Sequence, residues 1–288
     1  MQSVTMIPGL SAIADAYDAV ICDVWGVLHN GVQGYPGAVE ALTRFRGDGE
    51  RPVVLLTNAP RPSYAIETML HRFGVPTDAY DAIVTSGDVM HTLLRRLGGA
   101  PAFHIGPARD LPLFEGLAMP LVPEDEGEIV VCTGLFDDET ETPDDYRAVL
   151  GRLVDRGLPM YCANPDVVVE RGDRLIYCAG AVAQLFQELG GVVEIVGKPY
   201  KPVYDVAVET IDELAGREVS HRRVLAIGDA FPTDVKGAWG QGLDVLLVTA
   251  GIHASDFGPQ DAPDPALVAR RAAIEGVEIR AALTRLAW

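Results

Sequence analysis

Ala19-Val20-Ile21-Cys22-Asp23 is a run of four apolar residues closed by an acid, and Val24-Trp25-Gly26 follows it directly. An apolar run without alternation suits a strand buried on both faces, which is how strands of a parallel sheet read. The same pattern recurs in PVVLLTN, AIVTS, AFHIG, EIVVCTG, MYCAN, VVEIVG, RVLAIGD and DVLLVTAG, with helix-like segments between the runs. Strands alternating with helices predict an α/β fold built on parallel sheets. Asp23, Thr57, Ser86, Lys198 and Asp229 end or follow such runs, next to Gly, Pro or a turn. In an open parallel sheet those positions line the carboxyl edge, where ligands bind.

The chemistry-bearing strand ends fall before about Ser86 and after about Glu194. Residues 1–86 and 194–288 are therefore expected to form a catalytic core, and residues 87–193 an inserted α/β unit of their own. That middle stretch carries acidic loops at Pro123 to Glu128 and Asp137 to Asp145. A Pro- and Asp-rich loop from Ser255 to Pro265 leads into a final helix expected to end near Trp288.

A chain of 288 residues that is 48% hydrophobic can bury a full core. No uninterrupted apolar run is long enough to cross a bilayer, and MQSVTMIPGL lacks the basic flank of a signal peptide, so the expected location is the cytoplasm. The net charge of −18 opposes binding to nucleic acid and to anionic membranes. Cys22, Cys132, Cys162 and Cys178 show no C-x-x-C pairing and read as reduced core thiols.

Four elements carry chemistry. Asp23 can act as a nucleophile at the sheet edge, with Gly26 allowing a tight turn; taken alone it reads equally as a turn or helix-capping aspartate. In GDAFPTD, Asp229 ends a strand and Asp234 follows one short loop later. Carboxylates gathered near Asp23 repel unless neutralised, and a hard divalent cation with oxygen ligands does this, which favours magnesium. The alternative for Asp234 is loop capping with a salt bridge to Lys236. Lys198 in VGKPY can turn its ammonium inward, although a lone Lys before Pro is commonly a surface charge. Thr57 and Asn58 in LLTNAP offer a hydroxyl and backbone N–H groups to an anion, or simply start a helix.

In this order the elements resemble the four motifs of the haloacid-dehalogenase-like (HAD) hydrolases. DVWGVLHNG, LLTNAPRP, CANPD, GKPY and GDAFPTD look like the class IIA, NagD-like phosphatases, which carry an α/β cap between the second and third motifs. The match spans most of the chain. It implies a Rossmann-like core, an inserted cap that closes to exclude water and choose the substrate, and hydrolysis of a small phosphorylated metabolite through an aspartyl-phosphate. On that pattern Asp23 is nucleophile and magnesium ligand, with the Trp25 carbonyl and Asp229 completing the protein ligands. Thr57 and Lys198 hold the phosphoryl oxygens, Asn58 lies beside them, and Asp234 orients Lys198 or a metal-bound water. Asn164 and Asp166 of CANPD contact the substrate's polar groups, or form an ordinary Asn-Pro turn. A cap-mediated homodimer is a further family-level expectation, although a chain of this size can bury enough core to remain a monomer.

The chain departs from the family at Trp25, where most of its phosphatases carry a second aspartate as general acid. An indole cannot fill that role. His29 and Asp166 are candidate replacements. The departure leaves two other readings open: a catalytically weak phosphometabolite-binding or regulatory module of the same fold, and carbon–halogen hydrolysis, against which the Asp229 and Asp234 pair counts.

Overall fold

A computed structural model describes residues 4–172 and 174–288. In chain order its main elements are β1 (Ala19–Asp23), α1 (Pro36–Arg46), β2 (Val53–Thr57), α2 (Ser63–Arg72), β3 (Ala82–Thr85), α3 (Ser86–Arg96), β4 (Ala102–Ile105), β5 (Ile129–Cys132), α4 (Arg147–Asp155) and β6 (Met160–Cys162). There follow β7 (Val168–Arg171), β8 (Arg174–Tyr177), α5 (Ala179–Glu188), β9 (Val193–Ile195), α6 (Lys201–Ala215), β10 (Val224–Gly228), α7 (Lys236–Gly240), β11 (Asp244–Val248), α8 (Pro265–Glu275) and β12 (Ala281–Leu283). The chain forms two compact units, one of residues 1–57, 67–84 and 204–288, the other of residues 58–66 and 85–203. Asn58 and Lys198 thus belong to the second unit. Among the described residues no helix is long and apolar enough to cross a membrane.

The first unit is built on a six-stranded sheet in the order β12-β11-β10-β1-β2-β3. β1 runs parallel to both β10 and β2, β10 to β11, and β11 to β12. Every residue of β1, β2 and β10 is buried, which explains why these strands read as unbroken apolar runs. The strand order turns at β1, with β2 and β3 on one side and β10 to β12 on the other. The carboxyl ends of β1 and β10 therefore flank a topological switch point. Register makes these ends nearly flush: Asp23 is level with Leu56, and Cys22 with Ile227, so Asp229 and Thr57 each stand just past the level of Asp23.

The final helix is shorter than the sequence suggests. α8 starts with Asp264, whose carboxylate accepts the Ala266 N–H at 2.8 Å, and it stops at Gly276, whose φ of 68° is left-handed. The chain then enters β12, whose Ala-Ala-Leu has helical propensity. Pairing overrides that propensity: β12 joins β11, and the Met6 segment bridges to Ala282.

The second unit has its own parallel sheet, β4-β5-β6-β9, and a separate antiparallel hairpin of β7 and β8. α4 and α5 cover one apolar cluster around Phe186, Leu150 and Val130, and α3 covers another around Met90, Leu94 and Val131. The hairpin is absent from the sequence reading. The four cysteines are buried and form no disulfide, as expected for core thiols, and burial pushes the Cys162 thiol up to about 12.

Candidate active site

The first unit brings Asp23, Asp229 and Asp234 together at the carboxyl edge of its sheet. One carboxylate oxygen of each lies within 4.8 Å of the others, and the three residues are only 5–7% exposed. Asp23 comes from the end of β1 and Asp229 from the residue after β10. Asp234 comes from the single π-helical turn Phe231–Val235 that leads into α7. Thr57, also buried, closes the neighbouring β2.

Backbone geometry holds these acids in place. Asp234 Oδ2 accepts the N–H groups of Asp229 and Ala230, both at 3.1 Å, so Asp234 caps the loop that carries Asp229. Of the alternative reading of Asp234, the loop capping is present but the salt bridge is not: Lys236, in the first turn of α7, meets Glu275 at 2.6 Å. Asp229 Oδ2 accepts the Ile252 N–H at 2.9 Å, from the loop after β11. Two glycines make room for the Asp229 carboxylate. A Cβ at Gly26 would lie 2.2 Å from its Oδ2, and one at Gly251 only 1.9 Å.

Gly251 and Ile252, which shape the surroundings of Asp229, were missed in the sequence, where DVLLVTAG was read as a strand and nothing more. The available signal was a glycine at the same carboxyl edge as Asp23 and Asp229. Gly251→Ala is expected to push Asp229 aside and to raise the half-saturating magnesium concentration about 10–100-fold, the usual cost of disturbing a ligand's support. Magnesium titration of phosphatase activity checks this, and an unchanged midpoint would show that Asp229 does not depend on the gap.

Three buried carboxylates this close repel one another unless a cation offsets the charge, and a purely oxygen donor set suits a hard divalent ion. The residues present therefore fit a magnesium-type site.

Trp25 lies two residues beyond Asp23 and is partly buried. Its indole packs edge-on against His29 with centroids 4.9 Å apart, and it fills the space left by Gly31, where a Cβ would meet Cζ2 at 2.5 Å. His29 is fully buried between Trp25 and Phe73, and its Nδ1 accepts the Gly31 N–H at 2.9 Å. Through these contacts His29 packs within the loop that follows β1.

The second unit gathers the other candidates. Lys198 is 4% exposed, so it is not the surface charge its sequence context allows. Asn58 Oδ1 accepts the Lys198 N–H at 2.7 Å, while its Nδ2 donates to the Lys198 carbonyl at 3.3 Å and to Asp166 Oδ1 at 2.8 Å. One amide thus locks Lys198 and Asp166 to the segment after β2. Asn164 Oδ1 accepts the Asp166 N–H at 3.0 Å, which gives CANPD an Asx-type turn.

At the carboxyl ends of β4 and β5, His104 Nε2 lies 2.9 Å from Thr133 Oγ1, and Thr133 also bonds Asp110. Burial lowers His104 from 6.5 to about 4, and burial raises Asp110 from 3.8 to about 6 despite Arg109 and Arg61. Between pH 6.5 and 4 the unfolded chain binds the histidine proton and the folded chain does not, so this group removes stability as pH falls. Between pH 3.8 and 6 the folded chain keeps the Asp110 proton, so this group removes stability as pH rises. Thermal melts from pH 6 to 4 should therefore show a larger acid-induced fall in Tm for Asp110→Asn than for wild type, and a smaller one for His104→Gln. The reverse order would contradict these assignments.

Comparison with known proteins bears on the family and the fold. A haloacid dehalogenase-like hydrolase family model matches residues 20–118, and a HAD-hydrolase-like model matches residues 195–273. The crystal structure of a haloacid dehalogenase-like family hydrolase from Brucella suis 1330 is 45% identical. It aligns over 98% of this chain and 100% of its own, with a TM-score of 0.87. D-glycerol 3-phosphate phosphatase of Mycobacterium tuberculosis (strain ATCC 25618 / H37Rv) is 28% identical over an alignment of 258 residues that covers 85% of this chain and 67% of that protein. Ribonucleotide monophosphatase NagD of Escherichia coli (strain K12) is 25% identical over 241 residues, 82% of this chain and 89% of NagD. The chain belongs to the haloacid dehalogenase-like hydrolase family, within which it is similar to the NagD-like phosphatases.

Proposed function

We propose that the protein is a magnesium-dependent phosphatase that hydrolyses a small phosphorylated metabolite through an aspartyl-phosphate on Asp23. The observation that carries this reading is the group of three buried carboxylates, Asp23, Asp229 and Asp234, at the switch point of the core sheet. The phosphatases among the chain's relatives support it.

Magnesium, held by Asp23, Asp229 and the Trp25 carbonyl, would supply positive charge to a site otherwise hostile to a phosphate dianion. In the first step an Asp23 carboxylate oxygen attacks phosphorus, and the bond from phosphorus to the ester oxygen breaks. With no acid at position 25, the departing oxygen takes its proton from water. In the second step water attacks phosphorus, the bond to Asp23 breaks, and the carboxylate is restored as phosphate leaves with both of the water's protons, one of which neutralises the hydroxide left by the first step. Thr57 and Lys198 are assigned to the phosphoryl oxygens, with Asn58 fixing the backbone of Lys198. Asp234 maintains the loop of Asp229, and Asn164 and Asp166 are assigned to the polar groups of the substrate. Residues 1–86 and 194–288 would act as the catalytic core and residues 87–193 as the cap.

Trp25 favours a second reading, in which the same site binds a phosphometabolite and turns it over weakly. Magnesium-dependent hydrolysis of p-nitrophenyl phosphate by wild type supports the phosphatase. Its absence, with inorganic phosphate still bound in the presence of magnesium, supports the binding module.

A further inference from the structure

Both loops that shape the Asp229 site are tied to one side chain of α8. Arg271 Nη1 lies 3.3 Å from Asp256 Oδ2, in the loop after β11 that also supplies Ile252 to Asp229. The same carboxylate oxygen of Asp256 is 3.3 Å from His253 Nδ1, and His253 is the residue next to Ile252. Arg271 Nη2 lies 2.9 Å from Glu275 Oε1, while Glu275 Oε2 meets Lys236 at 2.6 Å, at the end of the loop after β10. The Arg271 guanidinium also sits 5.5 Å from the ring centre of Phe231, which is two residues beyond Asp229 and fully buried. His253 and Phe257 pack on that same ring, with centroids 5.9 and 6.2 Å away.

We propose that Arg271 is a positioning residue that clamps the loops after β10 and β11 together and so sets the placement of the Asp229 carboxylate. The proposal rests on the reading of Asp229 as a magnesium ligand. A single exposed ion pair would do little. Here one planar fork serves two carboxylates and an aromatic face at once, a combination the point charge of lysine cannot reproduce. Supports one step removed from a metal ligand commonly govern affinity about 10–100-fold, and Arg271 occupies such a position.

The test uses the full chain as wild type, Arg271→Met, Arg271→Lys and Asp256→Asn. Magnesium affinity is measured by calorimetry, and amide exchange of residues 249–257 is measured in chelator. The clamp predicts magnesium binding at least about tenfold weaker in Arg271→Met, an intermediate loss in Arg271→Lys, and a loss in Asp256→Asn. It also predicts faster exchange at Ile252 in Arg271→Met and Asp256→Asn, with a cooperative thermal transition retained. Unchanged affinity together with unchanged protection of Ile252 would overturn it. Should Arg271→Met not fold, Arg271→Lys and Asp256→Asn decide by the same readouts. If wild type itself binds no magnesium, the metal reading fails, and Ile252 exchange alone decides whether the clamp exists.

Discussion

Asp23→Asn is expected to reduce phosphate release from p-nitrophenyl phosphate and acetyl phosphate by at least about 10³-fold, since removing a nucleophile from a hydrolase can cost on the order of 10⁶. An amide has a similar shape but no negative charge, so the substitution removes both the attacking oxygen and one share of the metal's charge balance. Folding should survive. The end of β1 is held by its parallel neighbours β10 and β2, and replacing one of three crowded carboxylates relieves repulsion. The variant should therefore melt at or above the wild-type temperature in chelator while being inactive in magnesium. Activity within a few fold of wild type would mean that Asp23 is only a turn residue.

The second large effect is a gain. Trp25→Asp places a carboxyl group two residues beyond Asp23, where the family resemblance leads one to expect an acid–base catalyst. A positioned acid is worth about 10²–10⁴-fold, and that gain is expected for alkyl phosphates, whose leaving oxygen needs a proton. p-Nitrophenyl phosphate should change little, because its leaving group departs unprotonated. The contrast between the two substrates is the diagnostic, since a general improvement in folding or metal binding would raise both alike. The substitution also removes the indole from its place against His29 and Gly31, so some stability should be lost. Equal turnover of both substrates in wild type and variant would show that some other group already supplies the proton.

Much of this was legible in the sequence because the core strands are buried on both faces and end in polar residues. AVICD, VVLLT and VLAIG each appear as an apolar run, and each delivers its terminal residue, or the residue after it, to one edge of one sheet. Asp23, Thr57 and Asp229 could be named from that pattern alone. Asp234 was visible as a nearby acid, with loop capping as its alternative role, but which two N–H groups it caps depends on a π-helical turn that no residue spacing specifies. β12 was hidden because Ala-Ala-Leu favours helix, and only pairing with β11 makes it a strand. The β7 and β8 hairpin was hidden because all of Val168–Arg171 is partly buried and Arg174–Tyr177 is exposed except at Ile176, so neither strand gives a clean alternation. Gly251 and Ile252 were missed for a different reason. The Ile252 role lies in a backbone N–H that any residue but proline supplies, and the Gly251 role in the missing Cβ beside Asp229, for which the glycine itself was the one visible signal.

The most direct test of the central claim is to quench wild type in acid during turnover of acetyl phosphate, with magnesium or with chelator, and to map phosphoryl groups by peptide mass spectrometry. The account predicts one phosphoryl group on the peptide containing Asp23, present with magnesium, absent with chelator and absent in Asp23→Asn. Rapid phosphate release with that peptide unmodified, continuing in Asp23→Asn, would contradict it.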